Sequence, residues 1–163
     1  MGNVLNDIGD ALELALQAID GTGSWESGAD FSTTGAVRED QVLDPPTLPF
    51  ACYWWESAQT GNTAGVTPLT KRDVDATWWV LAWGQSATEV SQTRAKLIRN
   101  LYSDITEAIE SYGTPDGCLG MNAVNEVLVH AQGVEGDSSE TDDIPCVLVR
   151  VDIRYRRTVG GNI

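Results

Sequence analysis

The sequence predicts an α+β protein in which helices cover one face of a mixed or antiparallel sheet. Apolar residues recur at steps of three and four in two segments, residues 3–20 and 86–112, as in helices with one buried side. Near the C-terminus, apolar and polar residues alternate strictly, as in a strand with one buried face. The order of helix, strands, helix and two further strands favours a sandwich with both helices on one face of the sheet.

The first predicted helix lies close to the N-terminus. Its apolar positions are Leu5, Ile8, Leu12, Ala15, Leu16 and Ile19. Asn3 can cap its first turn, and Gly21 follows its last turn. Residues 21–49 are then rich in Gly, Ser, Thr and Asp and end in a proline-containing run. This composition predicts a long loop or an extended arm.

Two strands are predicted in the middle of the chain, at residues 48–57 and 77–83. They flank a polar, turn-rich stretch at residues 58–74, which predicts a second long loop. Each strand contains a pair of adjacent tryptophans, Trp54-Trp55 and Trp78-Trp79. Because side chains alternate along a strand, one indole of each pair should face outward, covered either by a loop or by another chain.

The second predicted helix begins at Ser86-Ala87-Thr88-Glu89, which fits a capping box. Gly113 and Pro115 are expected to end this helix. Two closing strands are predicted at residues 122–132 and 144–157, separated by an acidic turn. All these elements fit a single domain over residues 1–163, with the two long loops as its irregular parts.

Charge is distributed unevenly along the chain, whose formal net charge is −14. Residues 145–163 hold four arginines and one aspartate, whereas residues 1–144 hold six basic and 23 acidic residues. The basic residues of the terminal strand are Arg150, Arg154, Arg156 and Arg157. An acidic stripe, Asp104, Glu107 and Glu110, occupies the C-terminal half of the second helix, where the helix dipole disfavours acids. The stripe is either a solvated face or a docking site for a basic surface.

Composition argues against several classes of function. The acidity opposes a free nucleic-acid binder, which needs a surplus of Lys and Arg. No apolar run reaches the roughly 18 residues of a membrane span, and the N-terminus lacks the basic start of a signal peptide, so we expect a soluble protein made inside a cell without membrane contact. Cys52, Cys118 and Cys146 are too widely spaced for a zinc or redox motif.

Catalytic motifs are not evident in the sequence. His130 is the only histidine and lies in a predicted strand, so we interpret it as structural. The acidic residues of the last turn lack the ligand spacing of an EF-hand. We therefore expect no enzyme activity, no metal and no cofactor.

The element order and the closing run Val151-Asp152-Ile153-Arg154-Tyr155-Arg156-Arg157-Thr158, followed by Gly160-Gly161-Asn162, resemble the tail terminator (tail completion) proteins of long-tailed viruses of bacteria and archaea. The resemblance covers nearly the whole chain in element order, although the two loops are long for the family. It implies a ring, of six subunits, that caps the tail tube, ends tube polymerisation and joins the tail to the head. The implied location is the tail or neck of the virion, after synthesis in the host cytoplasm. The implied partners are the tail tube protein and a head-completion or connector protein.

A ring of this kind needs two unlike patches on each subunit. We expect Arg150, Arg154, Arg156 and Arg157 to approach Asp104, Glu107 and Glu110 of a neighbour. We also expect Trp25 and Phe31 to anchor the arm at residues 21–49 on a neighbour or on the tube. DNA would pass through the acidic lumen without specific binding. Two alternatives stay open, a head-completion or neck adaptor ring and a small dimeric ligand-binding α+β domain, which would show an apolar pocket.

Overall fold

The computed structural model describes residues 3–60, 71–113, 117–134 and 143–158 and confirms the α+β class. The helices of this part are α1 (Val4–Gln17), α2 (Ala87–Val90) and α3 (Arg94–Ser111), with a 3-10 turn at Cys118–Gly120. The strands are β1 (Val37–Glu39), β2 (Phe50–Thr60), β3 (Lys71–Trp83), β4 (Val124–Val134) and β5 (Cys146–Thr158). The predicted helix end at Pro115, most of the acidic turn and the closing glycines lie outside the described residues.

The five strands form one mixed sheet in the order β1-β2-β3-β5-β4. Strand β1 runs parallel to β2, and every other neighbouring pair is antiparallel. The terminal strand β5 lies inside the sheet, where it pairs with β3 from Trp83 opposite Cys146 to Lys71 opposite Thr158. The strongly alternating strand of the sequence is therefore central.

One face of the sheet packs against α1 and α3 and forms the main core. The alternating residues of β5 lie on this face, as predicted: Val147, Val149, Val151, Ile153 and Tyr155. They pack with apolar residues of the two helices that are fully buried: Ile8, Leu12, Leu16, Leu101, Ile105 and Ile109. Burying each such aliphatic side chain contributes about 1.5 to 3 kcal/mol, so this layer is the main source of stability.

Helix α1 begins as the sequence predicts. The Asn3 side-chain oxygen accepts a hydrogen bond from the backbone N–H of Leu5 at 3.0 Å, which satisfies one of the exposed donors of the first turn. Its apolar positions face the sheet, while Leu14 is 52% exposed on the outer side. The amphipathic pattern thus sets both the helix and its orientation.

The capping box predicted at Ser86 is not formed, and this prediction was wrong. The Ser86 hydroxyl donates instead to the carboxylate of Asp143, and its side chain caps no helix N–H. Only the short α2 follows, and it ends at Ser91, which has a left-handed backbone (φ 54°). Helix α3 begins later, at Arg94, where the Thr93 hydroxyl accepts a hydrogen bond from a backbone N–H of the first turn.

The two predicted loops contain more regular structure than their composition indicates. Residues 37–39 form β1, and an isolated bridge joins Asp20 and Asp30. Strands β2 and β3 extend into the second loop, to Thr60 and from Lys71. Residues 61–70 lie outside the described part of the chain.

Candidate interaction surface

Neither α1 nor α3 covers the second face of the sheet, and this face has two regions of different chemistry. The apolar region comprises Phe50, Cys52, Trp54, Leu81, Trp83, Cys146 and Leu148. The charged region comprises Asp73, Asp75, Glu126, His130, Arg150, Asp152, Arg154 and Arg156. The division follows from the sequence of β3 and β5, whose residues on this face change from apolar to charged along the strands.

A cleft of about 990 Å³ lies between the apolar region and the segment at residues 41–48. Trp54, Trp83 and Leu148 form part of its floor, and Pro45 and Pro46 form part of its other wall. The sheet and the segment are linked by the Cys52 thiol, which donates to the carbonyl of Val42 at 3.4 Å. Leu43 and Leu48 belong to the same lining and are 73% and 43% exposed. The cleft therefore presents apolar surface to the outside.

Cross-strand ion pairs link β3 and β5 in the charged region. Arg154 Nε donates to Asp75 Oδ1 at 2.8 Å, and Arg156 Nε donates to Asp73 Oδ1 at 2.9 Å. Each arginine stands directly opposite its aspartate in the strand register. The hydrogen bond from Arg156 lowers the pKa of Asp73, and the hydrogen bond to Asp75 raises the pKa of Arg154. Arg154 also lies 3.8 Å from Glu126 on β4.

His130 on β4 and Arg150 on β5 both contact the carboxylate of Asp152. His130 Nε2 lies 3.2 Å from Asp152 Oδ2, and Arg150 Nη2 lies 3.1 Å from the same oxygen. Both groups are partly exposed. The described residues contain no cluster of three or more His, Cys, Asp or Glu side chains that could hold a metal ion.

The terminal arginines have different neighbours from those expected for an assembly through α3. Arg150, Arg154 and Arg156 are paired with acids of their own chain. Strand order places Asp75 and Asp73 of β3 beside Arg154 and Arg156, whereas Asp152 lies two residues from Arg150 on β5 itself. Arg157 points to the helix-covered side of β5 and stands opposite Arg72 in the register.

Asp104 does not belong to an exposed acidic stripe, which corrects the sequence-based expectation. It is 3% exposed, and its two carboxylate oxygens accept hydrogen bonds from the backbone N–H groups of Glu26 and Ser27 at 3.0 and 2.8 Å. The segment after α1 thus uses Asp104 as an internal anchor. Only Glu107 and Glu110 of the predicted stripe are exposed.

Phe31 is likewise part of its own core, contrary to the expectation that it anchors an arm elsewhere. Its side chain is fully buried in the main core, and its backbone N–H donates to the carbonyl of Ile19 at 2.8 Å. Trp25 is partly buried and packs against the same core. The first third of the predicted arm is therefore held by its own subunit.

The sheet has two open edges among the described residues, a feature that the sequence analysis missed. Strand β4 pairs with β5 on one side, and none of the described strands pairs with its other side. Strand β1 pairs with β2 only at residues 51–53, so no described strand pairs with the outer edge of β2 over residues 54–60. The long polar strand ends could have indicated an edge, but strand order has no local signal in one sequence.

Comparisons with protein-family models and with curated proteins find no match to this chain. Within the described ranges, no helix combines the length and the apolar character needed to cross a bilayer.

Proposed function

We propose that this chain is a structural virion protein of the tail-terminator type, which forms a ring of identical subunits at the end of a tail tube. The observation that carries the proposal is the sheet face that α1 and α3 leave uncovered. Its apolar region adjoins a charged region, and protein–protein interfaces combine an apolar centre with a polar rim in the same way. A surface of this kind is suited to contact with other protein subunits.

The fold agrees with the element order on which the resemblance rests, since an N-terminal helix, a strand pair, a long helix and two closing strands are all present. A head-to-tail ring requires two unlike surfaces per subunit. Among the described residues the sheet has two open edges, β4 on one side and residues 54–60 of β2 on the other. They are unlike surfaces at opposite ends of the sheet. They support a ring, for which the resemblance implies six subunits.

The net charge of −14 fits a passage for DNA. Capture of DNA depends on Lys and Arg that replace the counterions of the phosphates. A strongly acidic ring repels phosphates, so a duplex can move through its lumen without being held. In this proposal one side of the ring meets the tail tube protein and ends polymerisation, and the other side receives a head-completion or connector protein.

Tube assembly in vitro tests the proposal. The purified chain is added to the tube protein of the same virus during polymerisation, and tube lengths and ends are recorded by negative-stain electron microscopy. We expect shorter tubes with a ring at one end. Unchanged tube lengths together with bare tube ends would contradict a terminator function.

A matched pair of variants locates the tube contact. Leu43→Asp adds a charge beside the cleft, where the side chain is 73% exposed, and is expected to reduce capping. Leu14→Asp adds the same charge on the outer side of α1, at a position 52% exposed, and serves as the control. Equal capping by both variants would show that the cleft does not contact the tube.

A second candidate function is supported by the cleft itself. Its size and its mixture of apolar walls with Gln41, Asp44 and Thr47 fit a small-molecule site. In that case the protein would be a two-fold dimer that binds one apolar fluorescent dye per subunit. Light scattering and dye titration distinguish this outcome from a ring with an open centre.

A further inference from the structure

We infer that neighbouring copies of this chain join by pairing strand edges, with β4 of one subunit extending the sheet beside residues 54–60 of the next. This inference rests on the proposed ring, because head-to-tail repetition uses both edges of every subunit. The partner is a second copy of the chain, and two backbone edges make the contact.

The open edges carry the hydrogen-bonding groups that such a contact needs. An edge strand presents a row of unpaired backbone N–H and C=O groups, which pair readily with another extended chain. The described part of β4 covers Val124–Val134, and the open part of β2 covers residues 54–60. Proline and lysine, which often protect edges from pairing, are absent from both stretches.

The two edges lie at the same height in the sheet. Across the four strands, Trp54 stands opposite Trp79, Trp79 opposite Arg150, and Arg150 opposite His130. Three residues further along β2, Ser57 connects through the same ladder to Leu128. A neighbour placed beside the sheet in the same orientation therefore brings the open part of β2 level with β4.

Strand direction also fits. Each of the pairs β2–β3, β3–β5 and β5–β4 is antiparallel, so β2 and β4 run in opposite directions within one subunit. When copies repeat side by side in one orientation, β4 of one copy meets β2 of the next as an antiparallel pair. This pairing continues the hydrogen-bond pattern of the rest of the sheet.

Each edge carries one large exposed apolar side chain, and the two lie on opposite faces of the sheet, because Trp55 stands opposite the core residue Trp78 and Leu128 stands opposite Asp152. Trp55 on β2 is 48% exposed and Leu128 on β4 is 44% exposed, although both are large and apolar. Each open edge also carries one glutamate, Glu56 or Glu126. Like charges on both edges, together with the net charge of −14, oppose association at low ionic strength. Association through these edges should therefore strengthen as salt is added.

Thiol crosslinking tests the inference directly. In a Cys118→Ser background, Ser57→Cys and Leu128→Cys are combined in one chain and treated with a short bis-maleimide. We expect a ladder of covalent oligomers that ends at the ring size, whereas each single variant gives dimers at most. Rings that are visible by electron microscopy but yield no such ladder would overturn edge pairing while leaving the proposed ring intact. A chain that stays monomeric at high salt and on tubes would overturn both proposals.

A charge placed on one edge provides a second test that does not depend on crosslinker reach. Trp55→Lys is expected to lower the association constant about tenfold or more, because tryptophans buried in interfaces carry a large share of binding free energy. Leu14→Lys makes a comparable change on the outer side of α1 and should leave association unchanged. Circular dichroism of both variants verifies that the fold is retained. Equal association constants for the two variants would contradict the inference.

Discussion

The carboxylate of Asp104 in α3 accepts hydrogen bonds from the backbone N–H groups of Glu26 at 3.0 Å and Ser27 at 2.8 Å. A buried carboxylate is costly unless hydrogen bonds replace those it loses to water, and these two donors do so. The contact spans 77 residues between Ser27 and Asp104. It holds the segment that follows α1 against the helix layer.

Loss of this anchor should destabilise the protein. Asp104→Ala leaves the buried N–H of Ser27 and the partly buried N–H of Glu26 without acceptors, and we expect the free energy of unfolding to fall by about 2 to 4 kcal/mol. Asp104→Asn retains one acceptor oxygen, so its free energy of unfolding should lie between those of the unmodified protein and Asp104→Ala. Glu107→Ala, on the exposed side of α3, should change it by no more than about 0.5 kcal/mol. Urea denaturation measures all three, and equal losses for positions 104 and 107 would contradict the anchor role.

The long elements of the fold could be predicted because burying one face imposes a local period on the sequence. Helix α1 and strand β5 both have such a pattern, and each forms where it was expected. The start of α3 could not be predicted in this way. Asp143, which is 57 residues from Ser86, takes the hydroxyl that the local pattern assigns to a cap, and α3 starts instead at the Thr93 cap.

The candidate surface shows the same division between local and distant information. Alternation in β5 predicts correctly that Arg150, Arg154 and Arg156 share one face. The acidic partners of Arg154 and Arg156 depend on which strand lies beside β5, and that choice is made by packing over the whole sheet. Asp73 lies in the predicted loop at residues 58–74 and Asp75 lies between that loop and the predicted strand at residues 77–83, so neither is expected to pair with β5 from the sequence alone.

The ion pair between Asp73 and Arg156 should give stability a specific dependence on pH. The hydrogen bond from Arg156 holds the pKa of Asp73 below its ordinary value of 3.8. A carboxyl group with a lowered pKa in the folded state stabilises the fold above its unfolded pKa, and this contribution is lost as the pH falls through the folded pKa. We expect a small component of stability that disappears below about pH 4 and is missing in Asp73→Asn.

Removing the other partner provides the control for this pair. Arg156→Gln should abolish the same component, and the double variant should follow the same pH profile as either single variant. Urea denaturation from neutral pH down to about pH 2 gives these profiles. Additive effects of the two substitutions would show that the pair does not act as a unit.

The cysteines should differ sharply in reactivity. Cys52 and Cys146 are buried, whereas Cys118 is partly exposed. Burial also raises the pKa of the Cys52 thiol, which lowers its thiolate fraction and hence its reactivity. We expect iodoacetamide to modify Cys118 first in the native protein and the other two only after denaturation, as read by mass spectrometry. Cys118→Ser should leave assembly unchanged, and rapid native labelling of Cys52 would contradict its buried position.

Gly113, which follows α3, should tolerate no side chain. Its backbone is left-handed (φ 82°), and an added Cβ would lie 2.0 Å from the backbone nitrogen of Gly120. Gly35 has the same φ of 82°, but an added Cβ there would meet no atom within 4 Å. Gly35→Ala therefore isolates the backbone strain, about 1 to 2 kcal/mol. Gly113→Ala adds a clash with backbone that cannot rotate away, and we expect about 1 to 3 kcal/mol beyond that. Thermal unfolding of the two variants compares them, and equal losses would show that the turn after α3 moves to accommodate the methyl group.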